Sequence, residues 1–288
     1  MRRFSLVEPP SFAAAVDALA GAPGAKAIAG GTALLILIKH GVFIPDVLVN
    51  LRKIRGGGEI ALDPDGRLRL GALASINDVE RHPLVRERYP VLAEACHVVA
   101  NIRIRNLATI GGNLAHADYQ SDPPAALVAL GASLELEGPD GVREAALDEF
   151  LLGAYETALG PSEVVRAVLV PAPEPGWRGA YLRFTTRSSE DRPAVGVTAL
   201  VRLDDGRCAD ARIAVGALAG APVRVGAAEA SLRDRLLDAA ALREAGAIVE
   251  RSVDAIDDLR GSARFKQRVA GVLAERALAQ AIDGRLMT

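Results

Sequence analysis

The sequence predicts an α+β protein divided into two domains, and three observations carry that prediction. In the first half, short apolar runs alternate with glycine-rich turns and helical runs. The segment Pro171-Ala172-Pro173-Glu174-Pro175-Gly176 is a poor helix or strand and a good linker. Beyond it, three strand-like runs are followed only by helical ones, the order of a sheet with packed helices. The expected domains are therefore 1–173 and 177–288, and 288 residues allow each a core of its own.

Composition narrows the function class. Half the residues are hydrophobic and 24% are charged, as in an ordinary globular protein. A net charge of −2 gives no electrostatic footprint for nucleic acid. No apolar run is long enough for a transmembrane segment, and the run Leu34 to Ile38 stops at Lys39. The basic start, Met1-Arg2-Arg3-Phe4, meets Glu8-Pro9-Pro10 before any signal-peptide core forms, so a cytoplasmic location is expected. Cys96 and Cys208 are the only cysteines. They are too few for a disulfide framework or for an all-cysteine iron–sulfur cluster in one copy of the chain.

Phe4 to Glu8 reads as a first strand, and Ser11 as the N-cap of a helix over 12–19 with Phe12, Val16 and Leu19 on one face. Ala25 to Ala29 is a second short strand. Ala29-Gly30-Gly31-Thr32 turns into a helix that ends near His40-Gly41, with Thr32 as its expected N-cap. Val47 to Leu51 is a buried strand. Asp63-Pro64-Asp65-Gly66 joins Glu59–Leu62 to Leu68–Ala72 as a hairpin. Ser75 opens a short helix, His82-Pro83 interrupts, and a longer helix runs from Val91 to Val99. Ile102 to Leu107, with Arg103 and Arg105 alternating, fits an exposed strand face or a pair of diphosphate-neutralising cations.

The second glycine turn follows: Thr109-Ile110-Gly111-Gly112-Asn113-Leu114-Ala115-His116-Ala117-Asp118. Paired glycines permit positive φ and close backbone approach, at a cost in chain entropy. Two readings stay open, an ordinary tight turn or a turn whose amides point at an anion. Neither turn matches G-x-G-x-x-G or the P-loop pattern. Asp122 precedes Pro123-Pro124 at a helix start and reads as an N-cap; Asp118 reads as a turn residue. Ser133 to Glu137 alternates as a half-buried strand, Leu147 to Leu152 is a short helix, and Val164 to Val170 is a strand. After the linker come strands over 180–186, 194–203 and 208–218, the last two joined at Asp204-Asp205-Gly206. Helices follow over 227–232, 238–253, with a weak point at Gly246, and 262–282. His40, His82 and His97 show no partner in sequence, and His116 with Asp118 is too small a set for a zinc site.

The two glycine motifs, in this order and at this separation, resemble those of the FAD-binding subunit of molybdenum hydroxylases, the family of carbon monoxide dehydrogenase and xanthine dehydrogenase. The resemblance covers nearly the whole chain, including 118–131. It implies the two-part FAD-binding fold also seen in vanillyl-alcohol oxidase and p-cresol methylhydroxylase, followed by a smaller α+β domain, here a three-stranded antiparallel sheet plus helices. It implies FAD as cofactor, contacted by Ala29, Gly30, Gly31, Thr32, Ala33, Leu34, Thr109, Ile110, Gly111, Gly112, Asn113, His116, Asp118, Asp122, Leu169 and Arg192, with no metal ligands. The loop holding Arg187, Asp191 and Arg192 is expected to reach towards the isoalloxazine. Two positions depart from the family: Ala33, where relatives often carry Asp or Ser, and Arg192, near which several place an aromatic or lysine.

The resemblance also implies an electron-transfer role. An iron–sulfur subunit with two 2Fe–2S clusters and a large molybdenum-cofactor subunit are the expected partners, in a dimer of heterotrimers. Electrons would leave through FAD to an external acceptor. The alternative is a stand-alone FAD-dependent oxidoreductase of the same fold; no acid–base constellation in the sequence supports it.

Overall fold

The computed structural model describes residues 3–284 and Met287. Its N-terminal part is β1 (Ser5–Val7), α1 (Phe12–Ala20), β2 (Ala25–Ile28), α2 (Leu34–Lys39) and β3 (Val47–Asn50). The strands form a parallel sheet in the order β1-β3-β2. The Ser11 hydroxyl accepts from the Ala14 amide at 3.2 Å and starts α1. Phe12, Ala15, Val16 and Leu19 then bury one face against Val49, Leu51 and Ile54.

The second part holds β4 (Ile60–Leu62), β5 (Leu68–Gly71), α3 (Ile76–Arg81), α4 (Pro83–Arg88), α5 (Pro90–His97), α6 (Ile102–Arg105), α7 (Ile110–His116) and α8 (Pro123–Ala129). It continues with β6 (Ser133–Gly138), β7 (Gly141–Ala146), α9 (Leu147–Phe150), β8 (Leu151–Gly153), β9 (Glu156–Thr157) and β10 (Val164–Val170). Its main sheet is antiparallel, in the order β4-β5-β10-β6-β7. On the central β10, Val168 lies opposite Leu70 on one side and Leu134 on the other, and all three join the main core. The exposed strand face that was one reading of 102–107 is instead the helical turn α6. The Asn101 side-chain oxygen accepts from the amides of Arg103 and Ile104, at 3.1 and 3.3 Å, and this local cap overrides the Ile–Arg alternation. The helix at 147 stops at Phe150, where the chain turns extended as β8.

The C-terminal part comprises β11 (Trp177–Phe184), β12 (Val195–Asp204), β13 (Arg207–Gly216), β14 (Val223–Arg224), α10 (Gly226–Leu232), α11 (Ala239–Ser252) and α12 (Ala263–Ile282). The antiparallel sheet runs β11-β12-β13-β14, so a two-residue strand extends the three that were expected. Asp205 (φ 45°) and Gly206 (φ 78°) both take the left-handed conformation that a two-residue hairpin loop uses. Asp238 and Ser262 cap α11 and α12 with their side chains. Gly246 is no weak point. A Cβ there would lie 2.6 Å from the carbonyl oxygen of Gly271, and one at Gly271 would lie 2.7 Å from that of Gly246, so two glycines let the helices touch backbone to backbone.

Trp177, Tyr181, Leu200 and Ala214 from this C-terminal sheet belong to the same buried cluster as α5, α8 and β10. The two parts of the chain therefore share apolar packing, and polar loops at the edge of that seam face each other.

Candidate cofactor site

The fold brings the two glycine turns together. A Cβ on Gly30 would lie 2.1 Å from the Leu107 carbonyl oxygen and 2.9 Å from the Ala108 Cα. Only glycine lets the first turn rest against the chain entering the second. Gly31 has φ 72°, and Ala33 is the residue preceding α2, with no side-chain bond to the helix. Thr32 is thus not the N-cap that the sequence predicted: the left-handed Gly31 starts the turn, and its carbonyl accepts from the Leu35 amide at 3.1 Å. The amides of Gly30, Gly31, Thr32, Ala33 and Leu34 find no acceptor among the described residues. Consecutive free N–H groups around a left-handed glycine form a concave anion-binding nest, and the start of a helix adds partial positive charge.

The second turn is built differently. Gly111 and Gly112 lie inside the first turn of α7, and neither has positive φ. The Thr109 hydroxyl caps the helix by accepting from the Gly112 amide at 3.1 Å. The Ile110 amide donates to Ala74, that of Gly111 to Ala72, and that of Asn113 to the Thr109 carbonyl, each at 2.9 Å. The four amides of this turn are spent inside the protein, which favours the tight-turn reading over the one in which they point at an anion. Gly111 is needed because a Cβ would sit 2.5 Å from that of Ala72. Gly112 is exposed, and its Cβ position meets only the Thr109 hydroxyl within 4 Å, so its backbone presents a flat open wall. The Asn113 and Ser121 side chains exchange hydrogen bonds at 2.8 and 3.0 Å.

Past α7 the chain enters the seam between the two parts. The Asp118 carboxylate accepts from Arg192 Nε at 2.8 Å, the Gln120 amide at 3.1 Å and the Tyr155 hydroxyl at 3.3 Å. Asp118 is therefore both the expected turn residue and one half of a contact between the parts. Asp122 does not cap α8. Its buried carboxylate accepts from the Tyr181 hydroxyl at 2.7 Å and from Arg183 at 3.1 Å. Burial pushes its pKa up to about 6 against the opposing pull of Arg183 and Tyr181. Arg183 also donates to the carbonyls of Ser189 and Asp191, and Arg260 pairs with the Asp191 carboxylate at 2.9 Å. Three guanidinium groups thus hold the loop over 185–193 in place.

His116, the last residue of α7, is partly buried; burial lowers its pKa, Asp118 opposes, and Arg192 and Lys26 add to the lowering. Leu169 is 1% exposed on β10 and is packed by protein. Arg105 pairs with Glu80 at 3.0 Å, and His97 Nδ1 lies 2.8 Å from the same carboxylate, so this histidine has a partner that its sequence neighbourhood did not show. Arg103 is exposed on α6. Among the described residues no three His, Cys, Asp or Glu side chains converge on a metal position. Sequence reasoning missed Tyr155, Tyr181, Arg183 and Arg260. Tyr181 and Arg183 alternate on one strand face, which is a local signal; the others meet their partners only through the fold.

Residues 2–173 match the family described as the FAD binding domain in molybdopterin dehydrogenase, and residues 180–281 match the CO dehydrogenase flavoprotein C-terminal domain. The chain belongs to this family of FAD-binding subunits. FAD is its cofactor, and its relatives place it among the oxidoreductases. The subunit is similar to the carbon monoxide dehydrogenase medium chain of Hydrogenophaga pseudoflava, with 35% identity over 288 residues and 96% of each chain covered. The solved carbon monoxide dehydrogenase of that organism, in a form lacking the Mo-pyranopterin moiety of the molybdenum cofactor, has a chain that superposes with a TM-score of 0.94 at 34% identity, covering 98% of both. Quinoline 2-oxidoreductase from Pseudomonas putida 86 gives a TM-score of 0.93 at 29% identity, again covering 98% of both chains.

Proposed function

We propose that this subunit is the electron-transferring flavoprotein of a molybdenum-containing hydroxylase or dehydrogenase. It receives electrons from an iron–sulfur subunit with two 2Fe–2S clusters, while a large molybdenum-cofactor subunit oxidises the substrate. The three chains assemble as a dimer of heterotrimers in the cytoplasm. The observation that carries this reading is the end-to-end match with a carbon monoxide dehydrogenase medium chain.

Bound FAD supplies a carrier that accepts electrons singly and releases them as a pair. The residues present fit it. The open amides over 30–34 suit the diphosphate. The exposed Gly112 backbone, with Thr109, Ile110, Gly111 and Asn113 fixing it, makes a wall without side chains. His116, Asp118, Asp122 and Arg192 lie at the seam, where the ring would meet polar groups from both parts of the chain. The guanidinium ties across the seam keep that side ordered.

The test is anaerobic absorbance of the flavin band. The isolated FAD-loaded chain should bleach with dithionite and stay coloured with substrates of the complete enzyme. Adding the iron–sulfur and molybdenum subunits should restore bleaching by substrate. Bleaching by substrate in the isolated chain would replace this reading with a stand-alone flavoenzyme.

A further inference from the structure

Tyr155 sits at the tip of the β8–β9 hairpin with φ 61°, a conformation in which a bulky side chain is a genuine outlier. Glycine or asparagine would serve the turn better if the turn were its only purpose. The outlier is not isolated. The Tyr155 amide donates to the carbonyl of Ala117 (φ 48°) at 2.8 Å, and the amide of Ala217 (φ 67°) donates to the carbonyl of Tyr119 at 3.1 Å. Three left-handed non-glycine residues therefore surround the loop that carries Asp118. Such backbone persists where the surroundings over-determine it, and it clusters at working sites.

The side chain is equally well directed. The Tyr155 ring lies 5.2 Å from the His116 ring and 6.4 Å from that of Tyr119, and its hydroxyl donates to Asp118. Yet the residue is 57% exposed. A ring held by this much scaffolding and left half open is not there to fill a core. It stands on the ledge that also bears His116, Asp118 and Arg192, at the end of the helix whose first turn exposes Gly112.

We propose that Tyr155 is a positioning residue of the FAD site. Its hydroxyl orients the Asp118 carboxylate, and its ring, with His116, walls the side on which the isoalloxazine lies. The inference rests on the placement of the flavin ring at the seam given above. It does not depend on where the electrons come from, so it stands or falls separately from the subunit-mixing experiment.

The test uses the full chain loaded with FAD and reads the fluorescence lifetime and midpoint potential of the bound flavin. Tyrosine and tryptophan quench a nearby flavin and phenylalanine does not. Tyr155→Phe should lengthen the lifetime, and Tyr155→Trp should shorten it or leave it short. Tyr155→Phe should also lower the midpoint potential, because Asp118 loses a donor and its negative charge disfavours the reduced flavin more strongly. Tyr155→Gly relieves the left-handed backbone, so its thermal midpoint should hold or rise while the lifetime lengthens as for Phe. A purely structural tyrosine would give the reverse pattern: lower thermal midpoints with unchanged lifetime and potential. Lifetimes equal to wild type in both the Phe and Trp variants would overturn the proposal.

Discussion

The two glycine turns share a dipeptide and little else. In the first, Gly31 is left-handed and five successive amides stay open. In the second, both glycines are helical and the four amides are closed off by Ala72, Ala74 and Thr109. One pair makes a cradle; the other makes a joint and a wall. Gly30 and Gly111 are alike in a different way, since each sits where neighbouring backbone or Ala72 leaves no room for a Cβ. Gly-Gly in a sequence therefore announces close approach, and only the disposition of the N–H groups says whether a ligand or the protein itself comes close.

The largest test of that contrast is at the contact between the turns. Gly30→Ala would drive a Cβ into the Leu107 carbonyl, 2.1 Å away, where the nearest atoms are all backbone and no flexible side chain can yield. A stability loss of roughly 3 kcal/mol in urea unfolding is expected, at the upper end for overpacking, with FAD binding lost as the turns separate. Stability within error of wild type would mean that the turns do not lean on each other.

A smaller effect separates cradle from wall. Gly31→Ala imposes a left-handed alanine, at about 1–2 kcal/mol, and disturbs the open amides. FAD affinity should fall about tenfold, the equivalent of one charge-assisted hydrogen bond. In Gly112→Ala the helical backbone accepts alanine, and only the Thr109 hydroxyl, 2.8 Å from the new carbon, must shift. Its affinity should fall less than that of Gly31→Ala in a titration of both apoproteins. Equal losses would erase the distinction between the turns.

The smallest effect concerns the far end of the second turn's helix. Burial lowers the His116 pKa below its unfolded value of about 6.5. The folded state then favours the neutral ring, so this contribution to stability is complete above the unfolded pKa and is lost as pH falls through the folded one. Urea unfolding of wild type and His116→Gln at pH 7.5 and 5.5 should show the variant losing less stability on acidification. An identical loss would place the ring in water.

Legibility followed how local the deciding contacts were. Val164–Val170 was readable because a valine-rich run bounded by Glu163 and Pro171 can do little else, and Ser11, Asp238 and Ser262 cap the helices they precede in sequence. Asp205-Gly206 announced its own hairpin. By contrast, Ile102–Arg105 has strand alternation, and four residues are too few for a helical period to show; the Asn101 side chain decides. β7 was invisible because its first four residues are all exposed and carry no alternation. Of the site, the glycine positions were legible and their roles were not, since the acceptors at Ala72 and Ala74 lie more than thirty residues upstream. Asp122 resembled a cap because it precedes two prolines; its partners Tyr181 and Arg183 stand about sixty residues away.

The crossing of α11 and α12 at Gly246 and Gly271 also limits how the C-terminal part can change in length. Elsewhere in a core, a lost or enlarged side chain is met by neighbours that repack. Here the nearest atoms are the main-chain carbonyls of Gly246 and Gly271, which cannot swing aside as a side chain can. One residue inserted between Ala239 and Gly246 would turn that glycine about 100° away from the crossing and bring another residue, with a Cβ, into its place. The spacing between each helix start and its glycine is therefore a counted length, as fixed as the glycines themselves, and insertions should be confined to the loops on either side.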